Sequence, residues 1–245
     1  MLAGRAVALL VALEALCLSG AGAPGTGAAP LARGVSVASL SRQLEPSVVD
    51  TTTFADPAGT QILGTGIIVS SSGLVLTDYH VIRGDVFIGV RIGGAGYVHP
   101  ADVVVADPSD DLALLQMEDA PALRPAELAR ASVLEVGDPV LAIGNALGLG
   151  RTPTAAAGRL VALHRSVRYG VGSGTVDLDG MIEAAAPIFA GDSGGPLVDA
   201  TGRVIGVIVA GSDDTPCAPA AVCPLHLVYA IPIRTALAQI GYARL

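Results

Sequence analysis

Short β-branched runs closed by glycine or proline are the feature that most restricts how this chain can fold. The first is Ser47-Val-Val-Asp-Thr-Thr-Thr-Phe54, directly after Pro46, and similar runs recur at Ile62–Val69, Gly73–Thr77, Val86–Ile92, Val103–Ala106, Leu112–Met117 and Pro139–Ile143. Beyond the glycine-rich stretch Gly144–Gly150 a second series follows at Ala157–Leu163, Thr175–Ala185, Leu197–Asp199, Val204–Ala210 and Leu227–Ile231. β-Branched residues pack well on a pleated surface, while glycine and proline interrupt regular structure. The 31 glycines, 16 prolines and absence of tryptophan therefore point to short strands joined by many turns, an all-β fold in two successive halves. Helical apolar spacing occurs only at the flanks. It spans Val35–Leu44, stopped by Pro46, and Pro232–Ile240, with Gly241 as the stop. The halves are expected at about 46–143 and 151–232, with the closing helix at about 232–241.

With 51% hydrophobic and 15% charged residues, the chain can bury a sizeable core as one domain, residues 30–245. Every basic residue is arginine and the formal charge is -8, so no basic stripe exists to neutralise a phosphate backbone, and nucleic acid is not expected as a partner. Residues 1–29 read as an export signal: Arg5 supplies the positive start, and Ala6–Leu13, extended past Glu14 by Ala15–Leu18, forms the apolar run. That run is too short and too interrupted for a membrane span, so a secreted or cell-envelope protein without stable membrane insertion is expected, cleaved somewhere between positions 20 and 30. Export leaves two of the 3 cysteines, Cys217 and Cys223, in one proline-rich loop. A disulfide between them would stiffen the loop by about 2 kcal/mol, the alternatives being two free thiols or a bridge to another chain. Two cysteines are too few for a structural metal site, and neither metal nor cofactor is expected.

The segment Ala190-Gly-Asp-Ser-Gly-Gly-Pro-Leu197 carries the chemistry. A serine hydroxyl becomes a useful nucleophile beside a general base and near N–H groups that stabilise a developing oxyanion, and a glycine-rich turn lets such groups converge. Ser193 is the candidate nucleophile, and the amides of Gly191 and Ser193 are the candidate oxyanion donors.

Gly191-Asp-Ser-Gly-Gly-Pro196 resembles the nucleophile motif of the trypsin-like peptidases at every position. Leu74-Val-Leu-Thr-Asp-Tyr-His80-Val-Ile82 is similar to the Thr-x-x-His-Val form of the HtrA/Deg branch, and Asp107-Pro-Ser-Asp-Asp111-Leu-Ala-Leu-Leu-Gln116 resembles that branch's Asp-Leu-Ala-Leu segment. Further similarity lies in Gly64-Thr-Gly66, Ala142-Ile-Gly-Asn-Ala-Leu-Gly148 and Gly202-Arg-Val-Ile-Gly206. The resemblance implies two six-stranded antiparallel β-barrels, with His80 as base and Asp111 as orienting acid from the first, and Ser193 from the second. It also implies polypeptide substrates, an acyl-enzyme, and activity that rises through neutral pH. Asp110 is the rival to Asp111; the latter is preferred because it directly precedes Leu112-Ala-Leu-Leu115. His99, His164 and His226 have no comparable context.

The sequence departs from the branch in two places. Asp192 stands where Asn usually precedes the nucleophile, and no PDZ domain follows, so regulation through such a domain is not expected. A buried Asp192 would call for a cation, with Arg151 or Arg159 the candidates. The resemblance puts the specificity pocket near Pro187, Ala190, Val209, Ala210, Gly211 and Leu227. Those residues imply a shallow apolar site preferring Ala, Val or Leu.

Overall fold

The computed structural model describes residues 36–54, 61–84, 87–130, 133–145, 152–171, 174–212 and 225–242. The export-signal expectation for 1–29 lies outside them. Helix α1, Val37–Leu44, opens the described chain, with Ser36 and Ser39 exchanging side-chain and backbone hydrogen bonds at its start. That exchange satisfies amides that the first turn of a helix leaves without partners. Only Leu40 and Leu44 of the helix are buried, one face of a short amphipathic segment.

Six strands then close the first barrel: β1 Val48–Phe54, β2 Gln61–Ile68, β3 Leu74–Asp78, β4 Phe87–Ile92, β5 His99–Asp107 and β6 Leu112–Met117, in the order β1-β2-β3-β6-β5-β4. The second barrel contains β7 Pro139–Gly144, β8 Thr154–Val171, β9 Gly174–Ile188, β10 Pro196–Asp199, β11 Val204–Ser212 and β12 Leu225–Pro232, closed as β10-β11-β12-β9-β8-β7. Every pair within these barrels is antiparallel, and closure leaves no open sheet edge. The all-β double barrel expected from the sequence is the architecture observed.

Alternation explains how the barrels share a core. Val49, Ile68, Val75, Ala113 and Leu115 fill the interior of the first barrel. Their strand neighbours Val48, Ile67, Leu76, Leu112 and Leu114 point the other way and join one continuous apolar cluster with the second barrel. Side chains alternate faces along a strand, so the unbroken run Leu112-Ala-Leu-Leu115 is what a strand buried on both faces requires. The chain closes with α3, Ile233–Gln239, ended by Gly241 at φ 67. Beyond it the Tyr242 hydroxyl donates to the Val69 carbonyl at 2.7 Å, tying the end of the described chain to the first barrel. No helix among the described residues is long and apolar enough to cross a membrane.

The second-barrel hairpin departs most from expectation. Strand β8 extends well past Ala157–Leu163, staying paired with β9 as far as Val171 and Gly174, while β9 exceeds Thr175–Ala185 by one residue at its outer end and three at its inner end. One face of their outer part carries the polar cross-strand partners Arg168 with Asp177 and Ser166 with Asp179, and the other packs Val167, Tyr169, Val176 and Leu178 on the core. Three register shifts and His164 at φ 59 bend the hairpin where it leaves the barrel.

Candidate active site

His80 sits on α2, Tyr79–Ile82, a single turn that caps β3. Val81 and Ile82 are buried and hold this turn against the first barrel, leaving the His80 side chain 22% exposed at its edge. Asp111 lies at the entry to β6 with φ 51, and no part of it is exposed. The loop before it is shaped by Asp107, whose Oδ1 accepts the Ser109 and Asp110 amides at 3.0 and 3.2 Å. This arrangement delivers the Asp111 carboxylate to His80. Oδ1 accepts the His80 backbone amide at 2.8 Å, and Oδ2 lies 2.6 Å from His80 Nδ1. Between the two neighbouring aspartates, Asp111 is therefore the one that meets the imidazole.

The serine turn is built by close packing. Gly191 and Gly194 adopt φ 101 and 83, values an L side chain rarely takes. A Cβ on Gly194 would lie 2.1 Å from the Thr65 carbonyl oxygen and 2.3 Å from Thr77 Oγ1, so only glycine fits there. Thr65 of β2 grips the turn from the first barrel: its amide donates to the Ser193 carbonyl at 2.8 Å and its hydroxyl to the Gly191 carbonyl at 2.7 Å. Thr77, three residues before His80, donates its hydroxyl to the Thr65 carbonyl at 2.6 Å. The histidine turn and the serine turn thus hang from one pair of bonded threonines.

Within the turn, the Asp192, Gly194 and Gly195 amides bond to the Phe189, Ile208 and Asp192 carbonyls at 3.1, 2.7 and 3.0 Å. The amides of Gly191 and Ser193 take no acceptor among the described residues. These are the two donors anticipated for an oxyanion. No hydrogen bond joins Ser193 Oγ to His80, and Ser193 is part-exposed.

Asp192 narrows an expectation. It is 4% exposed, its Oδ2 accepts the Phe189 amide at 2.8 Å, and its Oδ1 is buried against Gly144 without a partner among the described residues. Arg159 is not its cation: that guanidinium is turned outward and donates to the Gly137 carbonyl at 2.8 Å. Arg151 lies outside the described residues. Burial pushes the Asp192 carboxyl up to about 6, against the opposing pull of the Phe189 amide. A carboxyl can meet burial by holding its proton, without any cation.

Three participants carried no sequence signal strong enough to find them. The Tyr169 hydroxyl on β8 donates to Asp111 Oδ2 at 2.6 Å. Asp78, fully buried at the end of β3, has Oδ2 3.9 Å from His80 Nδ1 and no hydrogen-bond partner on either oxygen. Burial, and then the charge of Asp111, hold its carboxyl well above the usual range. Thr65 is the third. Asp78, His80 and Asp111 offer ligand atoms within 4.8 Å of one another, the spacing of a possible metal cluster. Their shortest contact, 2.6 Å between Nδ1 and a carboxylate oxygen, is a hydrogen bond that a cation would have to break.

The expected pocket residues are spread over three strands and a turn. Pro187 and Ala190 are exposed, while Ala210, Gly211 and Leu227 are half-buried. Leu227 pairs with Ala185 and Ser212. Val209 is 2% exposed at a bulge in β11, withdrawn from any open surface. His99 packs edge-on against Tyr97, and His164 is exposed on the bent hairpin, so neither belongs to the site. Cys217, Cys223 and the side chain of His226 fall outside the described residues.

Comparison with known proteins agrees with this geometry. A family described as "Trypsin-like peptidase domain" matches residues 64–207. The periplasmic serine endoprotease DegP of Salmonella typhimurium is 38% identical over 146 residues, covering 59% of this chain and 29% of DegP. The magnetosome formation protease MamE of Paramagnetospirillum magneticum is 35% identical over 158 residues, covering 63% of this chain and 21% of MamE. The chain thus spans less than a third of the length of either relative. Among solved structures, the HtrA-type protease AlgW with tripeptide superimposes at a TM-score of 0.71 with 30% identity, covering 84% of this chain and 63% of AlgW. The active form of the Rv3671c protease from M. tuberculosis gives 0.69 with 25% identity, covering 93% of this chain and 95% of that one. A double barrel with a histidine turn and a glycine-locked serine turn, matched by that family over more than half its length, belongs to the trypsin-like peptidase family and is homologous to its HtrA/DegP members.

Proposed function

We propose that this chain is an exported serine endopeptidase that cleaves polypeptides through Ser193, His80 and Asp111. The observation that carries the reading is the 2.6 Å bond between His80 Nδ1 and Asp111 Oδ2, made beside a serine turn with two unengaged amides. Asp111 keeps the Nδ1 proton in place, which leaves Nε2 free to accept the proton of Ser193 Oγ as the oxygen attacks a peptide carbonyl. The Gly191 and Ser193 amides take the developing oxyanion, and His80 returns its proton to the leaving amine. Water then attacks the acyl-enzyme with His80 again as base, restoring the free serine. The Ser193–His80 hydrogen bond is made in the complex with substrate, where catalytic hydrogen bonds commonly tighten.

Further parts of the reading rest on the sequence. Residues 1–29 act as the export signal, Cys217 and Cys223 form a disulfide, and the residue before the scissile bond is small or medium and apolar. The half-buried Leu227 and Ala210 support this preference by occupying space that a large side chain would need. The open Ser193–His80 pair is the one observation favouring a catalytically silent, peptide-binding relative.

A fluorophosphonate probe separates the two. The enzyme is expected to be labelled at Ser193 and the Ser193→Ala protein to stay unlabelled; a folded parent that never labels would establish the silent reading.

A further inference from the structure

We infer that Tyr169 is a positioning residue of this site: its hydroxyl, carried by the second-barrel hairpin, fixes the Asp111 carboxylate and draws charge away from the oxygen that faces His80. The inference rests on the proposed triad and deepens it. Asp111 Oδ2 receives two donors at 2.6 Å, one from His80 Nδ1 and one from Tyr169 Oη, while Oδ1 receives the His80 amide at 2.8 Å. Three donors on two oxygens are the bonding pattern of an ionised carboxylate, and they leave it no rotational freedom.

The third donor comes from far away. Tyr169 pairs with Val176 in the outer part of the β8–β9 hairpin, so Asp111 of the first barrel is secured by an element of the second. Burial, and then the neighbouring Asp111 charge, keep the phenol protonated, so it acts as a donor throughout the working pH range. Of the titratable groups around the imidazole, Asp111 enters from the start of β6 and Tyr169 from β8. Asp78 completes the set, with Oδ2 3.9 Å from His80 Nδ1 at the end of β3. Arg168 and Asp177, beside Tyr169 on the hairpin, are exposed and satisfy each other.

A hydroxyl bonded to Oδ2 disperses part of its negative charge and so weakens its hold on the imidazolium. Removing that hydroxyl has two separable effects. The carboxylate is held less firmly, which slows acylation, and it carries more charge toward His80, which favours the imidazolium and moves the acidic limb of the rate profile upward.

The experiment measures the fluorophosphonate acylation rate from pH 5 to 9 on the full chain, which makes no demand on peptide specificity. Tyr169→Phe is expected to lower the plateau by about 10-fold, a loss in keeping with one hydrogen bond to a charged group, and to raise the acidic limb by about half a pH unit. Fluorotyrosine introduced at position 169 keeps the ring while making the hydroxyl a stronger donor, and is expected to move the limb the other way. It serves as the deciding variant if Tyr169→Phe does not fold. A plateau that falls while the limb stays fixed in the Phe variant, or a limb unmoved by fluorotyrosine, overturns the inference and leaves the triad intact. A folded parent that does not acylate overturns the triad and this inference with it.

Discussion

The buried aspartate that meets the imidazole comes from the first barrel and the buried aspartate beside the nucleophile from the second, and the two are treated oppositely. Asp111, from the first barrel, is 0% exposed and receives three donors. Asp192, from the second, is 4% exposed and, among the described residues, receives one, with its other oxygen buried and without a partner there. Burial alone disfavours the charged form of both. The donors differ: three reach the Asp111 carboxylate, while the one that reaches Asp192 does not offset burial, and Asp192 holds its proton to higher pH. The first barrel therefore carries the working charge of the site, and the second offers a turn shaped by packing and backbone bonds.

The comparison breaks most visibly at Asp111. Asp111→Asn keeps the shape of the side chain but places an amide where Oδ2 accepts from both His80 and Tyr169. The imidazole is then held in the wrong tautomer. Acylation of Ser193 is expected to fall by about 10⁴-fold, the loss characteristic of this exchange in a Ser-His-Asp triad, with little change in thermal unfolding. Stopped-flow labelling measures the first and calorimetry the second. A loss below about 10-fold would remove Asp111 from the orienting role.

At Asp192 the same exchange should act on stability instead. The folded carboxyl titrates near 6, above its ordinary value of 3.8, so the folded state binds the proton more tightly than the unfolded chain does. Its stabilising contribution is complete below about pH 4 and is lost as pH rises through 6. The stability difference between Asp192→Asn and the parent should therefore shift in favour of Asn by on the order of 3 kcal/mol between pH 4 and pH 8. Asp50, raised to about 6 by burial against the pull of Arg91, adds a pH dependence of the same sign that is common to both proteins and cancels in the difference. Denaturant titrations at the two pH values test this, and a pH-independent difference would mean that folding leaves the Asp192 carboxyl at its ordinary value.

What was legible in the sequence was local. Gly191-Asp-Ser-Gly-Gly195 prescribes a turn that only glycines permit, and Leu112-Ala-Leu-Leu115 prescribes a strand buried on both sides, so the serine turn and the double barrel could be anticipated. Tyr169 could not be. It reaches Asp111 across 58 residues of chain, from an apolar face of the outer hairpin on which Val167, Tyr169, Val176 and Leu178 read alike as packing residues. Of the two cations sought for Asp192, Arg159 is engaged at Gly137 and Arg151 lies outside the described residues. Asp78 stood in plain view inside Thr77-Asp-Tyr-His80; nothing short of coordinates could show it fully buried with both oxygens unpartnered beside the imidazole.

The smallest effect sharpens the comparison furthest, because it concerns a residue one position away from Asp111. Asp110 is half-buried, and burial followed by the charge of Asp107 raises its carboxyl above the ordinary range. Its amide is committed to Asp107 Oδ1 at 3.2 Å, and its side chain makes no bond to His80. Asp110→Asn removes a carboxylate near the site while leaving the Asp107 turn, and hence the aim of Asp111, in place. Acylation is expected within about twofold of the parent and stability within about 0.5 kcal/mol, as for surface positions outside any bonded network. Proximity in sequence would then count for nothing against direction: φ 51 at Asp111 turns one carboxylate to the imidazole, and its neighbour is left to the solvent edge. A loss at Asp110 approaching that at Asp111 would instead show that the negative field of the loop, and not the bonded geometry, sustains the base.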